Sequence, residues 1–503
     1  MKLLNLSWLV WGSLMLSLAA QGQDTNLVRQ IEELQEQLRK TQENFTRLLK
    51  EQQEAIEALR RQAGLPAQPG GGEADALTDK RAADTARTAE VDPAKRKWLT
   101  GDALRFQKGQ AYLDVGLVGT VAVGGSTAKD IEHGTQLGGH DPQQNGFTLQ
   151  NLEAAFYGAV DPYFRAYSTV LFGIDSGGES VVELEEAYLE TLALPGRLQL
   201  RAGQFLTDFG RHNPTHPHTW ASVDTPLVSG RFFGHDGLRG LGARLSWLAP
   251  TPFYSELSLA VQNSHGETAH SFRSDHEGEP VFGRLHQVQR TRGVGDLLFA
   301  PRYVMAFDLS DTQTLMLGAS AALGKNASGD KTSTQIGGLD LYWKWKPRRQ
   351  FGGFPFVSWQ SEVMARRYEA GRFDWDLDGD GLLSPGGEEA DLDGDGFPDV
   401  LPDERLTDYG LYSQVCWGFR KGWVAGLRGD YVASRASQYE AMFGRDPHRA
   451  ERWRLSPSLT WYPSEYSKIR FQYNFDERKG IGPDHSIWLQ LEFVLGAHAA
   501  HKF

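Results

Sequence analysis

Residues 487–495 read Ile-Trp-Leu-Gln-Leu-Glu-Phe-Val-Leu, and the odd positions Ile487, Leu489, Leu491, Phe493 and Leu495 are all apolar. A period of two is that of a β-strand, whose successive side chains point to opposite faces. The pattern recurs upstream in Ile469, Phe471, Tyr473, Phe475; in Trp453, Leu455, Leu459, Trp461; in Leu339, Leu341, Trp343, Trp345; and in Leu315, Leu317, Ala319, Ala321, Leu323. Furthest from this stretch, Leu113, Val115, Leu117, Val121 and Val123 alternate with Asp114, Gly116 and Thr120. Sixteen such segments follow Trp98.

The connections between them fall into two classes that alternate along the chain. Seven are short, at Asp161-Pro162, Leu194-Pro195-Gly196, Ala249 to Pro252, Ser310-Asp311, Pro347 to Phe354, Arg420-Lys421-Gly422 and Pro463-Ser464-Glu465. Eight are mostly longer, near 124–146, 175–180, 206–237, 263–295, 325–333, 368–406, 433–451 and 477–485. Tight turns at one end and loops at the other match a closed outer-membrane barrel. Hydrocarbon tolerates no open sheet edge, so the strands must close on themselves, with apolar residues facing lipid and polar residues lining a wet interior. The competing reading is a periplasmic all-β protein with its apolar faces packed into a core, which leaves the inward charges unexplained.

Composition narrows the choice further. The 503 residues carry a net charge of -12, 40% hydrophobic and 23% charged residues, a mean hydropathy of -0.45 and one cysteine. A helical membrane protein would need spans of about 20 apolar residues, and only the extreme N-terminus approaches that. One cysteine forms no internal disulfide, and Cys416 reads as a half-buried strand residue. The acidic balance excludes a nucleic-acid partner.

Residues 1–22 read as a signal peptide, with Lys2 ahead of the apolar stretch Leu3 to Leu18 and small residues near Ala20. A membrane anchor is the alternative. Within 24–62, the positions Leu27, Ile31, Leu34, Leu38, Thr41, Phe45, Leu48, Gln52, Ala55 and Leu59 follow a four–three spacing. Eight of the ten are apolar, which predicts a short α-helical coiled coil in the periplasm, or else a lone solvated helix. Residues 63–97, rich in Pro, Gly, Ala and Asp, read as a disordered linker, and 98–503 as the barrel.

The alternation places Arg165, Tyr167, Arg201, Arg244, Arg302, Arg428, Asp430, Arg454, Lys468, Arg470 and Gln472 inside. Such a lumen either draws small anions by focusing a positive field, or its arginines pair with Glu183, Glu185, Glu362 and Asp308 and hold the wall in shape. The third long connection, where trimeric porins fold a constriction inward, holds Asp208, Arg211, His212, His216, His218, Asp224, Arg231, His235 and Asp236. His212, His216, His218, His235 and Asp236 offer imidazole and carboxylate ligands suited to zinc. The plainer reading is a polar pore loop whose histidines contact solvent or backbone.

Loop 368–406 carries a duplicated motif, Asp376-Leu377-Asp378-Gly379-Asp380-Gly381 and, fifteen residues later, Asp391-Leu392-Asp393-Gly394-Asp395-Gly396. Carboxylates at positions 1, 3 and 5 converge on a hard cation and glycine at position 6 permits the sharp turn, as in an EF-hand loop. The bidentate Glu of position 12 is missing; Glu388 and Asp403 stand one place later, and Asp399 is a further candidate ligand. A structural calcium role outside the cell is expected.

Leu184 to Tyr188, Leu194-Pro195-Gly196, Leu200 to Phe205 and Asp208-Phe209-Gly210 resemble strands of phosphate-selective porins. Arg211-His212-Asn213, His216-Pro217-His218, Arg231 to Gly234 and Gly237-Leu238-Arg239 are more similar to zinc-regulated outer-membrane receptors, sometimes labelled TonB-dependent. The terminal Phe503 is similar to the insertion signal of outer-membrane barrels. Together the resemblances cover most of residues 100–503 and imply a passive or gated channel for a small hydrophilic solute. The lysine-rich constriction of phosphate selection is not evident and no globular plug precedes the barrel, so energised transport is not implied.

The expectation is therefore an all-β protein: a 16-stranded antiparallel transmembrane β-barrel preceded by a short coiled coil. It is expected in the outer membrane of a Gram-negative-type cell, in contact with lipid, as a homotrimer joined through barrel and coiled coil. Its expected function is a porin for small hydrophilic solutes or ions, anions among them. The alternatives are a zinc uptake receptor or a calcium-stabilised envelope tether with the barrel as anchor. An enzyme is not expected, since no triad or metalloprotease spacing is present.

Overall fold

The chain divides into two units, Met1–Trp98 and Leu99–Phe503. The computed structural model describes residues 104–496 except 109–110, 267, 274–280, 288–289, 385–388, 445 and 447. The signal peptide, coiled coil and linker expected over 1–97, together with Glu388 and Phe503, lie outside the described residues.

The strands are β1 (Leu104–Lys108), β2 (Ala111–Ser126), β3 (Gly146–Ala159), β4 (Phe164–Ile174), β5 (Ser180–Thr191), β6 (Leu198–Leu206), β7 (Arg239–Leu248), β8 (Tyr254–Gln262), β9 (Leu298–Ser310) and β10 (Gln313–Lys325). They continue as β11 (Ser333–Trp345), β12 (Phe356–Ala370), β13 (Phe373–Asp374), β14 (Val400–Leu401), β15 (Glu404–Arg420), β16 (Trp423–Ser434), β17 (Arg452–Ser464), β18 (Ser467–Arg478) and β19 (Gly482–Gly496). The sixteen strands β2–β12 and β15–β19 pair with their neighbours in antiparallel register, and β19 returns to β2 with Leu491 opposite Val121. The ring is closed, so no strand edge faces lipid. The tiny β13–β14 ladder sits within loop 371–403.

One place in the wall is shared by two segments. β19 covers β2 from Ser126 to Gly116, and β1 covers the remainder, from Leu104 opposite Val115 to Lys108 opposite Ala111.

The period of two becomes two environments. On β19, Ile487, Leu489, Leu491, Phe493 and Leu495 are exposed outward, while Trp488, Gln490 and Glu492 are buried inside. An outward apolar face of this kind is stable in hydrocarbon and costly in water. Trp359, Trp417, Phe419 and Trp461 are exposed near the short turns, and Trp423 stacks on Trp461 with ring centroids 5.8 Å apart. Amphipathic rings at that height form an interfacial girdle.

The interior departs from a uniformly wet lumen. At the loop end, helix α1 (Leu227–Phe233) brings Leu227, Val228, Phe232 and Phe233 against Phe209 and Phe272, and onto inward-facing Ala322, Ile336, Met364 and Val432 of the wall. These side chains form a dry core inside the cylinder. Gly230 permits the approach, since a Cβ there would stand 2.5 Å from Leu137 Cβ. Cys416 is buried beside Phe356 and Val424, rather than half-buried, because the turn-side wall folds Phe354 inward over it.

Candidate functional site

Segment 207–238 lies inside the barrel because the wall holds it by charge. Asp224 is fully buried and both its oxygens are used: Oδ1 accepts from Arg428 Nη2 at 2.6 Å and Gln472 Nε2 at 2.9 Å, and Oδ2 from Arg454 Nη1 at 2.8 Å and Asn474 Nδ2 at 2.7 Å. Arg470 donates to the carbonyls of Ser222 and Trp220, both at 2.7 Å, and Lys468 to that of His218 at 2.8 Å. At the other end of the segment, Glu362 Oε1 accepts the His212 backbone N–H at 2.7 Å. Gly210, at φ 60°, passes so close that a Cβ would lie 1.9 Å from Glu362 Oε2.

Every arginine expected in the lumen does face inward, but nearly all have ionic partners there. Arg165 and Arg201 share Glu190, Arg244 pairs with Asp208, Arg302 with Asp340 at 2.7 Å, and Arg454 with Asp476 as well as Asp224. Arg428 holds Asp430 at 2.7 Å in addition to Asp224. Glu183, Glu185, Glu362 and Asp308 are not these partners. Glu183 pairs with Arg239, Glu185 with imidazoles, Glu362 accepts the Tyr412 hydroxyl at 2.5 Å, and Asp308 accepts that of Thr314 at 3.2 Å.

Among the described residues, two chambers lie on the turn side. The larger, about 440 Å³, is lined by Arg211, Lys344, Arg470, Tyr342, Tyr412 and Trp220, with no carboxylate among its lining residues. The smaller, about 320 Å³, has mixed charge from Asp208, Glu256, Arg244 and Arg302. Arg211 and Thr215 line both, which places them at the neck. Arg211 lies over the Tyr342 ring at 4.2 Å and donates to Met316 Sδ at 3.5 Å. Burial pushes His212, in the same chamber wall, down to about 3, so it carries no charge at neutral pH.

The five residues considered for zinc fall in separate places. His212 packs on Trp220 with centroids 4.5 Å apart. His235 and Asp236 lie with Glu132 and His133 under loop 127–145. His216 and His218 come together, 5.9 Å apart, against Glu153, Glu185 and Glu186 of the wall. Two β-bulges prepare this surface. Thr169 pairs with Glu186 and Val170 with Leu184, so Glu185 is the extra residue and both glutamates turn inward; Gln150 is likewise skipped between Leu149 and Asn151. A bulge breaks the parity of a strand and re-aims side chains. Glu153, Glu186 and His140 were not singled out from the sequence; the consecutive pair Glu185-Glu186 in an alternating strand was the available signal.

In loop 371–403, the carboxylates of Asp376, Asp378 and Asp380 lie within 4.8 Å of one another, as do those of Asp391, Asp393 and Asp399. Asp376 accepts the N–H of Gly379 at 2.8 Å and of Gly381 at 3.1 Å, and Asp391 repeats this with Gly394 at 2.6 Å and Gly396 at 2.9 Å. Asp395 instead accepts the Phe397 N–H at 2.9 Å, and Asp403 that of Arg372 at 2.6 Å. Glu389, not noted in the sequence, accepts the N–H groups of Leu377 at 3.1 Å and Ser384 at 2.8 Å.

No protein-family model matches the chain. An uncharacterized protein of Aquifex aeolicus (strain VF5) is 30% identical over 390 residues, 74% of this chain and 73% of that one. The outer membrane channel DcaP of Acinetobacter baumannii is similar in structure, with a TM-score of 0.49 and 11% identity over 77% of this chain and 99% of that one. So is an anion-selective porin from Comamonas acidovorans, with a TM-score of 0.44 and 7% identity over 76% of this chain and all of that one.

Proposed function

The chain belongs to the same family as the Aquifex aeolicus protein, and from its lumen we propose an outer-membrane channel that passes small hydrophilic anions. The observation that carries this is the larger chamber, where Arg211, Lys344 and Arg470 meet no lining carboxylate. In a narrow site with low-dielectric walls, uncompensated positive charge concentrates small anions and repels cations. The remaining inward arginines contribute little to this field, because carboxylates neutralise them at contact distance. With the loop end narrowed by its apolar core, the expected conductance is small for a sixteen-stranded barrel. Reversal potential in planar bilayers under a potassium chloride gradient tests the reading. The expected result is a chloride-preferring current; a potassium-preferring current, or a barrel that never conducts, would overturn it.

The acidic loop supports a second, separate proposal, that two calcium ions stiffen segment 376–399. Each trio of carboxylates is already gathered, and Gly379, Gly381, Gly394 and Gly396 adopt φ of 79°, 72°, 82° and 92°, which only glycine takes without strain. Extracellular sites of this type bind with dissociation constants of about 10⁻⁴–10⁻³ M. Limited proteolysis of the intact protein is expected to spare this loop in millimolar calcium and to cut it after chelation. Equal cutting in both conditions would refute the calcium role.

A further inference from the structure

Three carboxylates, Glu153 of β3 and Glu185 and Glu186 of β5, are buried to 0%, 4% and 5% exposure around the His216 ring. His216 Nδ1 stands 3.1 Å from Glu185 Oε2 and 3.6 Å from Glu153 Oε1, and its Nε2 2.9 Å from Glu186 Oε2. His218 Nδ1 is 3.4 Å from the other oxygen of Glu153, and His140 Nε2 is 3.7 Å from the other oxygen of Glu185. The ion pairs of Glu185 and Glu186 are thus made with imidazoles.

Burying several carboxylates is costly unless positive charge accompanies them. Each imidazole beside them supplies at most a single charge, and only when protonated. A divalent ion supplies two and also orders the donors. The spacing fits one: a tetrahedral metal with bonds of about 2.0–2.1 Å sets its ligand atoms about 3.3 Å apart, and the two Nδ1 separations of 3.1 and 3.6 Å bracket that value. Glu153, Glu185 and His216 present their ligand atoms within 4.8 Å of one another. Mixed imidazole and carboxylate donors favour borderline first-row ions over calcium or magnesium.

We propose that Glu153, Glu185 and His216 bind a borderline divalent metal ion of which zinc is the representative, with Glu186 fixing the imidazole through its other ring nitrogen. Bound there, the ion ties the inner loop to strands β3 and β5, a second anchorage beside the one at Asp224 on β16–β18. The site does not depend on the anion-channel reading.

Cobalt(II) is the probe, because its visible bands report nitrogen–oxygen coordination directly. The full-length protein in detergent is freed of metal by chelation, and the acidic loop is kept saturated with excess calcium. Wild type is expected to take up one cobalt per chain with visible bands, displaced by one equivalent of zinc. Glu185→Gln, which keeps shape and removes charge, and His216→Ala are each expected to weaken binding by about 10–100-fold or more, as losses in metal shells commonly do. His485→Ala, whose ring bonds to the Tyr473 hydroxyl at the barrel's loop end, is expected to bind as wild type. Unboiled gel migration verifies the fold, and Glu153→Gln serves if His216→Ala does not fold. Absence of bands in wild type would mean that a protonated imidazole alone holds the site, and would overturn the proposal. So would unaltered binding in Glu185→Gln, or bands lost only in His235→Ala, which belongs to the other cluster.

Discussion

Replacing Asp224 with alanine is expected to destabilise the folded barrel by about 3–5 kcal/mol and to raise its conductance. Removing one member of a buried ionic network leaves the other charges uncompensated, and the typical cost has that size. Four wall side chains point at this carboxylate, and two are arginines with 2% and 1% exposure, Arg428 and Arg454. Each keeps a second carboxylate, Asp430 and Asp476 respectively, so the lower end of the range is the better figure. Because Asp224 belongs to the loop and its donors to strands β16–β18, the same change frees the segment that divides the lumen. A fall in the urea midpoint, followed by tryptophan fluorescence, and a larger single-channel current would both be observed. The double variant Asp224→Ala/Arg428→Met should regain part of the loss, since contacting residues are coupled. An unmoved midpoint with unaltered current would show that the loop is held elsewhere.

Arg211→Glu should lower the chloride-to-potassium permeability ratio by at least about tenfold, which corresponds to only about 1.4 kcal/mol. Two unit charges about 4 Å apart interact by about 4 kcal/mol at an effective dielectric constant of 20. Reversing a charge at the neck of both chambers therefore has ample leverage even after Lys344 and Arg470 oppose it. Arg211→Gln should fall between. The guanidinium makes its contacts with Tyr342 and Met316 and not with a carboxylate, so its loss leaves no acid orphaned. Selectivity that ignores both substitutions would place the selective field outside this neck.

The wall was legible because sidedness is local. A residue's parity within its strand decides whether it meets lipid or lumen; Arg244, Arg302, Arg428, Arg454 and Arg470 are buried, and Arg165 and Arg201 reach the buried Glu190. The two classes of connection were equally local, with the last loop contracting from 477–485 to 479–481 as Arg478 binds Asp484 and extends β18. Pairing was not local. Which acid answers which arginine depends on strands and loops far apart in sequence, and the principal acid, Asp224, arrives from a loop about 200 residues before Arg428 and Arg454. The imidazole cluster was only half visible for a related reason: a bulge shifts parity by one, and periodicity reads through it without a mark.

The dry core at the loop end has one more implication, for how the chain can be re-engineered. Here Leu323 and Val363 meet hydrocarbon while their neighbours Ala322 and Met364 meet α1 and its surroundings. Strip away segment 207–238 and that inner stripe would be left facing water. Frame and insert thus form a single cooperative unit, and any graft must bring its own greasy face to fit the one it finds.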